Sequence, residues 1–173
     1  MQQARAGEGT MKNETIVERT SDRELVVTRM FNGPAHIVFD AWTKPELLKR
    51  WWAPKSFGVT LFECESDLRV GGTYRYAFGR DPGKPEVFSG RYLEVRPPSR
   101  LVLTQLYERM RDAGEAIVTA TFEESQGRTL LVLHQLFPSK EALEGALAFG
   151  MENGMRVTLD QLDELVAASQ HTA

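Results

Sequence analysis

An internal disulfide framework is excluded at the outset, because Cys64 is the only cysteine in the chain. A lone cysteine fits a reducing, cytoplasmic setting. No uninterrupted apolar run approaches the ~18 residues of a membrane-crossing helix, so no membrane insertion is expected. One sign of charge does not dominate either. The formal net charge is −3, which leaves no large electropositive field for nucleic acid. Met1 to Gly9 lack the apolar core of a secretory signal. His36, His134 and His171 are too dispersed for metal-ligand spacing. In Glu63-Cys64-Glu65 a strand would point the thiol opposite to both carboxylates, so no metal site is expected there. No cofactor is implied. Gly79-Arg80-Asp81-Pro82-Gly83-Lys84 has the wrong glycine spacing for a phosphate loop, and Pro85 stands where that loop needs Ser or Thr. A nucleophile elbow of the G-x-S-x-G kind is also missing.

What remains is an ordinary soluble composition over 173 residues, a length that suits one domain with one core. Residues 1–20 are polar and aperiodic and are expected to form a flexible tail. Residues 21–169 are expected to form the domain. Glu24 to Phe31 alternates apolar and polar residues as a strand does, with Leu25, Val27 and Arg29 on one face. Pro34 then opens a short helix carrying Ile37, Val38, Ala41 and Trp42. A second short helix follows, with Thr43 as its cap, Pro45 near its start, and Trp51 and Trp52 at its end.

From Phe57 to Phe137 the period is two, and turn residues punctuate it. Sequential strands with short polar turns predict an antiparallel meander. After Pro138 the period lengthens. Ser139 caps a helix on which Met151, Met155, Leu159, Leu162 and Val166 form one stripe. Gly150 and Gly154 lie within that expected helix, where glycine costs ~1 kcal/mol relative to alanine. Either close contact with the sheet or room for a ligand would explain them. The expected fold is therefore α+β: six to seven antiparallel strands, two short helices after the first strand, and a long C-terminal helix gripped by the sheet.

Four blocks carry a family resemblance. They are Asp22-Arg23-Glu24-Leu25 with Thr28-Arg29, and Pro34-Ala35 with Val38-Phe39-Asp40-Ala41-Trp42-Thr43. Then come Lys49-Arg50-Trp51-Trp52-Ala53-Pro54 with Asp67-Leu68-Arg69-Val70-Gly71-Gly72, and Gly150-Met151-Glu152-Asn153-Gly154 followed by Leu159 and Leu162. In this order and spacing, across roughly residues 21–166, the chain resembles the SRPBCC domains related to the C-terminal domain of the heat-shock protein 90 ATPase activator. Ala53 stands where that family usually has glycine. The resemblance implies the helix-grip fold shared with START lipid-transfer and birch-pollen-allergen-like domains. The resemblance does not extend to the activator's separate N-terminal domain, so chaperone activation is not expected to carry over.

A sheet closed over a helix leaves an interior that aromatic residues can line. The candidates for such a cavity are Trp51, Tyr74, Tyr76, Phe88, Tyr92, Tyr107, His134, Met151 and Met155. Adjacent helical residues point ~100° apart, so only one of Trp51 and Trp52 can be fully buried while the other serves a rim or lid. His134 shares a strand face with Leu130, Val132 and Leu136. One of Arg69, Arg75 and Arg91 is a candidate to reach inward toward an acidic ligand. These residues point to a domain, monomeric or homodimeric, that binds a small apolar or amphipathic molecule. Two alternatives share the fold: a polyketide cyclase or dehydratase, which needs an ionisable group inside the cavity, and a co-chaperone-like interaction module, which needs an exposed apolar patch.

Overall fold

The structure is a computed structural model that describes residues 13–171. Its elements run β1 (Ile16–Arg19), β2 (Glu24–Phe31), α1 (Ala35–Thr43), α2 (Pro45–Trp51), β3 (Thr60–Ser66), β4 (Thr73–Gly79), β5 (Glu86–Arg96), β6 (Arg100–Tyr107), β7 (Ala116–Ser125), β8 (Arg128–Leu136), α3 (Lys140–Ala148) and α4 (Met151–His171). The eight strands form one antiparallel sheet in the order β1-β2-β8-β7-β6-β5-β4-β3. The meander from β3 to β8 is as expected. The eighth strand, β1, lies within the segment expected to be a tail, and pairs with β2 through Ile16–Arg19. Residues 1–12 of that tail lie outside the described residues.

Because β2 and β3 sit near opposite edges of the sheet, the chain must cross its whole width between them. α1 and α2 make that crossing and cover one face. Their starts follow from proline. Pro34 precedes α1 in extended conformation, and Pro45 occupies the first turn of α2. The Glu124 side chain on β7 accepts from the Ala35 amide at 2.8 Å, supplying the cap that α1 lacks locally. Thr43 does not cap α2. It closes α1 by donating its hydroxyl to Phe39 O, and Lys44 takes the cap position.

Alternation along each strand sorts the residues by face. Leu25, Val27, Arg29 and Phe31 of β2 are buried, as are Thr129, Leu131, Leu133 and Gln135 of β8. These side chains meet Val38, Phe39 and Ala41 of α1, Leu48 and Trp51 of α2, and Leu159, Leu162, Leu165 and Val166 of α4 in one continuous core. Each such aliphatic side chain contributes roughly 1.5–3 kcal/mol through burial.

The C-terminal helix is broken where one helix was expected. Gly150, at φ 87°, ends α3, and its amide bonds Leu147 O. Position 150 is thus a left-handed helix terminus, which glycine adopts without steric cost. Ser139 caps α3 as expected, accepting from the Ala142 amide. Gly154 does lie inside α4, but a Cβ there would meet nothing within 4 Å, so helix–sheet contact does not account for it.

Among the described residues one arginine turns fully inward, and it is Arg29 rather than Arg69, Arg75 or Arg91. Its side chain is 2% exposed and donates to Asp160 and Asp163 of α4, each at 2.7 Å, and to Thr15 Oγ1 at 2.9 Å. Asp160 and Asp163, one turn apart, share the helix face that meets β2. The arginine fork therefore fastens α4 to the sheet. Gln161 makes a second attachment, donating to Trp51 O and Ala53 O and accepting from the Lys55 amide. Arg69, Arg75 and Arg91 instead pair at the surface with Asp67, Glu63 and Glu115.

Candidate functional site: an aromatic interior between β4–β7 and the short helices

β3, β4 and β5 place Cys64, Tyr76 and Phe88 side by side on the inner face, since Cys64 pairs with Tyr76 and Tyr76 with Phe88. One pair further along stand Tyr74 and Gly90. Gly90 decides how this corner packs. A Cβ at position 90 would collide with Thr104 O and come within 2.8 Å of Tyr74 Cε1. The missing side chain lets the Tyr74 ring lie across β5, and its hydroxyl donates to Thr104 O of β6. The Arg91 amide bonds the Thr104 side chain, Oγ1, at 3.0 Å.

From here the rings propagate. Tyr74 lies 4.9 Å from Tyr76 and 5.5 Å from Tyr92, centroid to centroid. Tyr92 shares a 2.7 Å hydrogen bond with Ser66 Oγ and also bonds the Tyr76 hydroxyl. Facing them, the Trp52 ring packs edge to face with Tyr76, Phe78 and Phe88 at 5.1–5.7 Å. Such pairs are worth about 0.5–1.5 kcal/mol beyond their area.

Between these rings is a void of about 40 Å³, lined by Trp42, Leu48, Trp52, Tyr74, Tyr76, Phe88, Tyr92, Leu101, Leu103, Gln105 and Val118. Burial pushes the Tyr74 and Tyr76 hydroxyls well above the usual phenol range. Tyr92 is also raised by burial, against the opposing pull of its hydrogen bonds to Ser66 and Tyr76. All three therefore stay protonated at neutral pH. Among the described residues no carboxylate, imidazole or ammonium lines the void. Cys64 stands beside it, its thiol pushed up to about 11 by burial.

The expected site residues divide. Tyr74, Tyr76, Phe88 and Tyr92 come together at the void. Tyr107 packs on Phe88 at 5.3 Å but binds outward. Its hydroxyl donates to Glu86, which also pairs with Arg109, and burial with Glu86 pushes the phenol up to about 12. Trp51 is not a lining residue. It is 2% exposed, its indole N–H donates to Ala41 O, and its neighbour Trp52 takes the lining position. Met151 and Met155 pack half-buried against the core without lining the void. The wall opposite the sheet is therefore built by α1 and α2, where the C-terminal helix was expected.

His134 also falls outside. Residues 131, 133 and 135 face the core, so position 134 points to the other side of the sheet, where it bonds Glu24 at 2.8 Å. That hydrogen bond lowers the Glu24 carboxyl below its ordinary value. A broader hollow of about 290 Å³ lies on that outer side, over Met30 and Leu130, but it is open and has no aromatic wall.

Comparison with known proteins places this architecture. The sequence model of the activator of Hsp90 ATPase homolog 1-like family matches residues 32–167. The chain belongs to this family. A Rhodobacter sphaeroides protein shares 27% identity with a TM-score of 0.82, over 90% of this chain and 99% of that one. A Nitrosomonas europaea protein shares 26% identity with a TM-score of 0.76, over 88% and 99%. A Mycobacterium smegmatis protein, at 24% identity and a TM-score of 0.78, shares the fold. No curated protein matches the chain in sequence. Within the described part of this family member, no helix is long and apolar enough to cross a membrane.

Proposed function

We propose that the chain binds a small apolar or amphipathic molecule in the aromatic interior between β4–β7 and the short helices. The observation that carries this reading is the composition of the wall: eleven residues, none charged, with rings on both sides of a void. A few polar groups on an apolar lining is the usual chemistry of a small-molecule site. The void of about 40 Å³ has room for a water molecule or two. A larger occupant therefore displaces one of the half-buried rings Trp42, Trp52 and Phe88, and Trp52, which caps the end of α2, is our choice. A cytoplasmic setting suits a chain with one cysteine.

The cyclase-type alternative needs an ionisable group in the interior. The inward arginine is engaged by Asp160 and Asp163, and His134 lies on the other face. The interaction-module alternative needs one continuous apolar surface. The large exposed apolar residues Ile16, Phe57, Leu68, Val70, Leu93, Ile117 and Phe149 are spread over six segments of the chain, with only Leu68 and Val70 sharing a turn.

Titration with the neutral fluorescent probe N-phenyl-1-naphthylamine tests the proposal. Saturable one-to-one binding is expected in the wild type and in His134→Ala. It is expected to vanish in a folded Val118→Phe variant, whose added ring fills the void. Equal binding by Val118→Phe, or none by the wild type, refutes the assignment.

A further inference from the structure

Three of the polar groups around the void are already committed. The Tyr74 hydroxyl donates to Thr104 O, the Tyr92 hydroxyl bonds Ser66 Oγ, and the Tyr76 hydroxyl pairs with that of Tyr92. Two are not. Trp42 lines the void, and its indole N–H is buried with no hydrogen-bond partner. The contrast with Trp51 is informative. That indole lies 5.1 Å from Trp42, ring to ring, and has its acceptor in Ala41 O at 2.8 Å. Gln105 faces the void from the sheet wall, half-buried on β6, and its amide makes no hydrogen bond among the described residues. Folded proteins rarely leave a buried donor unmatched. When such a donor borders a void, the missing partner belongs to what fills it.

We infer that the occupant is an uncharged molecule bearing a carbonyl- or ether-type acceptor, which Trp42 reads through its indole N–H and Gln105 supports with its amide. This rests on the ligand-binding reading above and narrows it. The same lining that welcomes a ring rejects a charge, because an ion here would lose its hydration and find no countercharge. The tyrosines cannot supply one, since burial keeps them protonated. An apolar molecule without an acceptor would leave the Trp42 N–H unmatched, and so would bind less well than its size allows. Polar discrimination of this kind exceeds what a hydrophobic wall achieves by shape.

The test compares 1-indanone, indane and indane-1-carboxylate, which share one bicyclic frame. In the wild type, 1-indanone is expected to shift the Trp42 indole N–H signal in 15N-correlated NMR, while indane binds without a downfield shift. The 1-indanone-to-indane affinity ratio is expected to fall about 5- to 10-fold in Trp42→Phe, as for loss of one hydrogen bond. The carboxylate is expected to bind at least about 100-fold more weakly than the ketone, as burial of an unpaired charge dictates. An unmoved Trp42 signal on 1-indanone binding overturns the inference, even if Trp42→Phe fails to fold. So does an unchanged ratio in folded Trp42→Phe, or equal affinity for the carboxylate. If neither neutral probe binds the wild type or Trp52→Ala, the ligand-binding reading itself falls.

Discussion

The ring of Tyr74 occupies the space that a side chain at Gly90 would need, and its hydroxyl takes Thr104 O on the strand beyond. One absent Cβ thus positions a buried tyrosine across β5. Gly90→Ala is expected to cost at least about 2–3 kcal/mol by overpacking. Tyr74→Phe, which keeps the ring and orphans the carbonyl, should cost about 1–2 kcal/mol. Urea unfolding of the two variants measures both, and a neutral Gly90→Ala would contradict the geometry.

Arg29 is the second fixed point. Replacing it with methionine leaves Asp160 and Asp163 at the edge of the core without their cation. We expect a loss of about 3 kcal/mol, at the low end for buried pairs because both aspartates retain solvent contact. Asp160→Asn, at a position whose side chain is 53% exposed, should cost under about 1 kcal/mol. Denaturant midpoints at constant slope distinguish the two.

The tyrosines make stability sensitive to alkali. All four, Tyr74, Tyr76, Tyr92 and Tyr107, have raised values in the folded chain. The unfolded chain ionises its phenols near 10. Above that pH the native state holds more protons than the unfolded one, so stability is intact below about 10 and falls as pH rises beyond it. Tyrosinate absorbance should therefore stay flat through pH 10 in native protein and rise together with loss of the near-ultraviolet circular dichroism. Independent titration of one or more tyrosines near pH 10 in folded protein would contradict this.

Trp52→Ala should open the interior. Removal of the ring that packs on Tyr76, Phe78 and Phe88 is expected to cost about 2–3 kcal/mol, less than for a fully buried tryptophan. It should also strengthen binding of N-phenyl-1-naphthylamine, as enlarged apolar cavities take up apolar guests. Weaker binding would mean that Trp52 holds the guest and does not merely cover the space.

Much of this was legible in the linear chain, and for local reasons. Strand and helix periods depend on which side chains share a face, so the meander, the short helices and the stripe of α4 could be read off directly. Tyr74 and Tyr76, and Phe88 and Tyr92, had to fall together in pairs. One polar signal was visible too, since Arg29 alternates with core residues of β2, whereas Gln105, in step with Leu101 and Leu103 on β6, stands out only once the void is seen. What Arg29 would meet was not visible, since Asp160 and Asp163 are more than a hundred residues away from it. The short β1 carries too few residues to announce its pairing.

Alternation in sequence determined that these tyrosines share faces with apolar neighbours, and that His134 opposes residues 133 and 135. Which face turned inward was decided only when β2 and β8 met the helices, because period two is symmetric between the sheet's two sides. The same holds for the wall of the interior. Local pattern made α1, α2 and α4 amphipathic alike, but the crossing from β2 to the far edge laid α1 and α2 over β4–β7. Arg29 and Gln161 then held α4 against β2 and the end of α2. Trp42 and Trp52 consequently face the tyrosines, and Met151 and Met155 do not line that space.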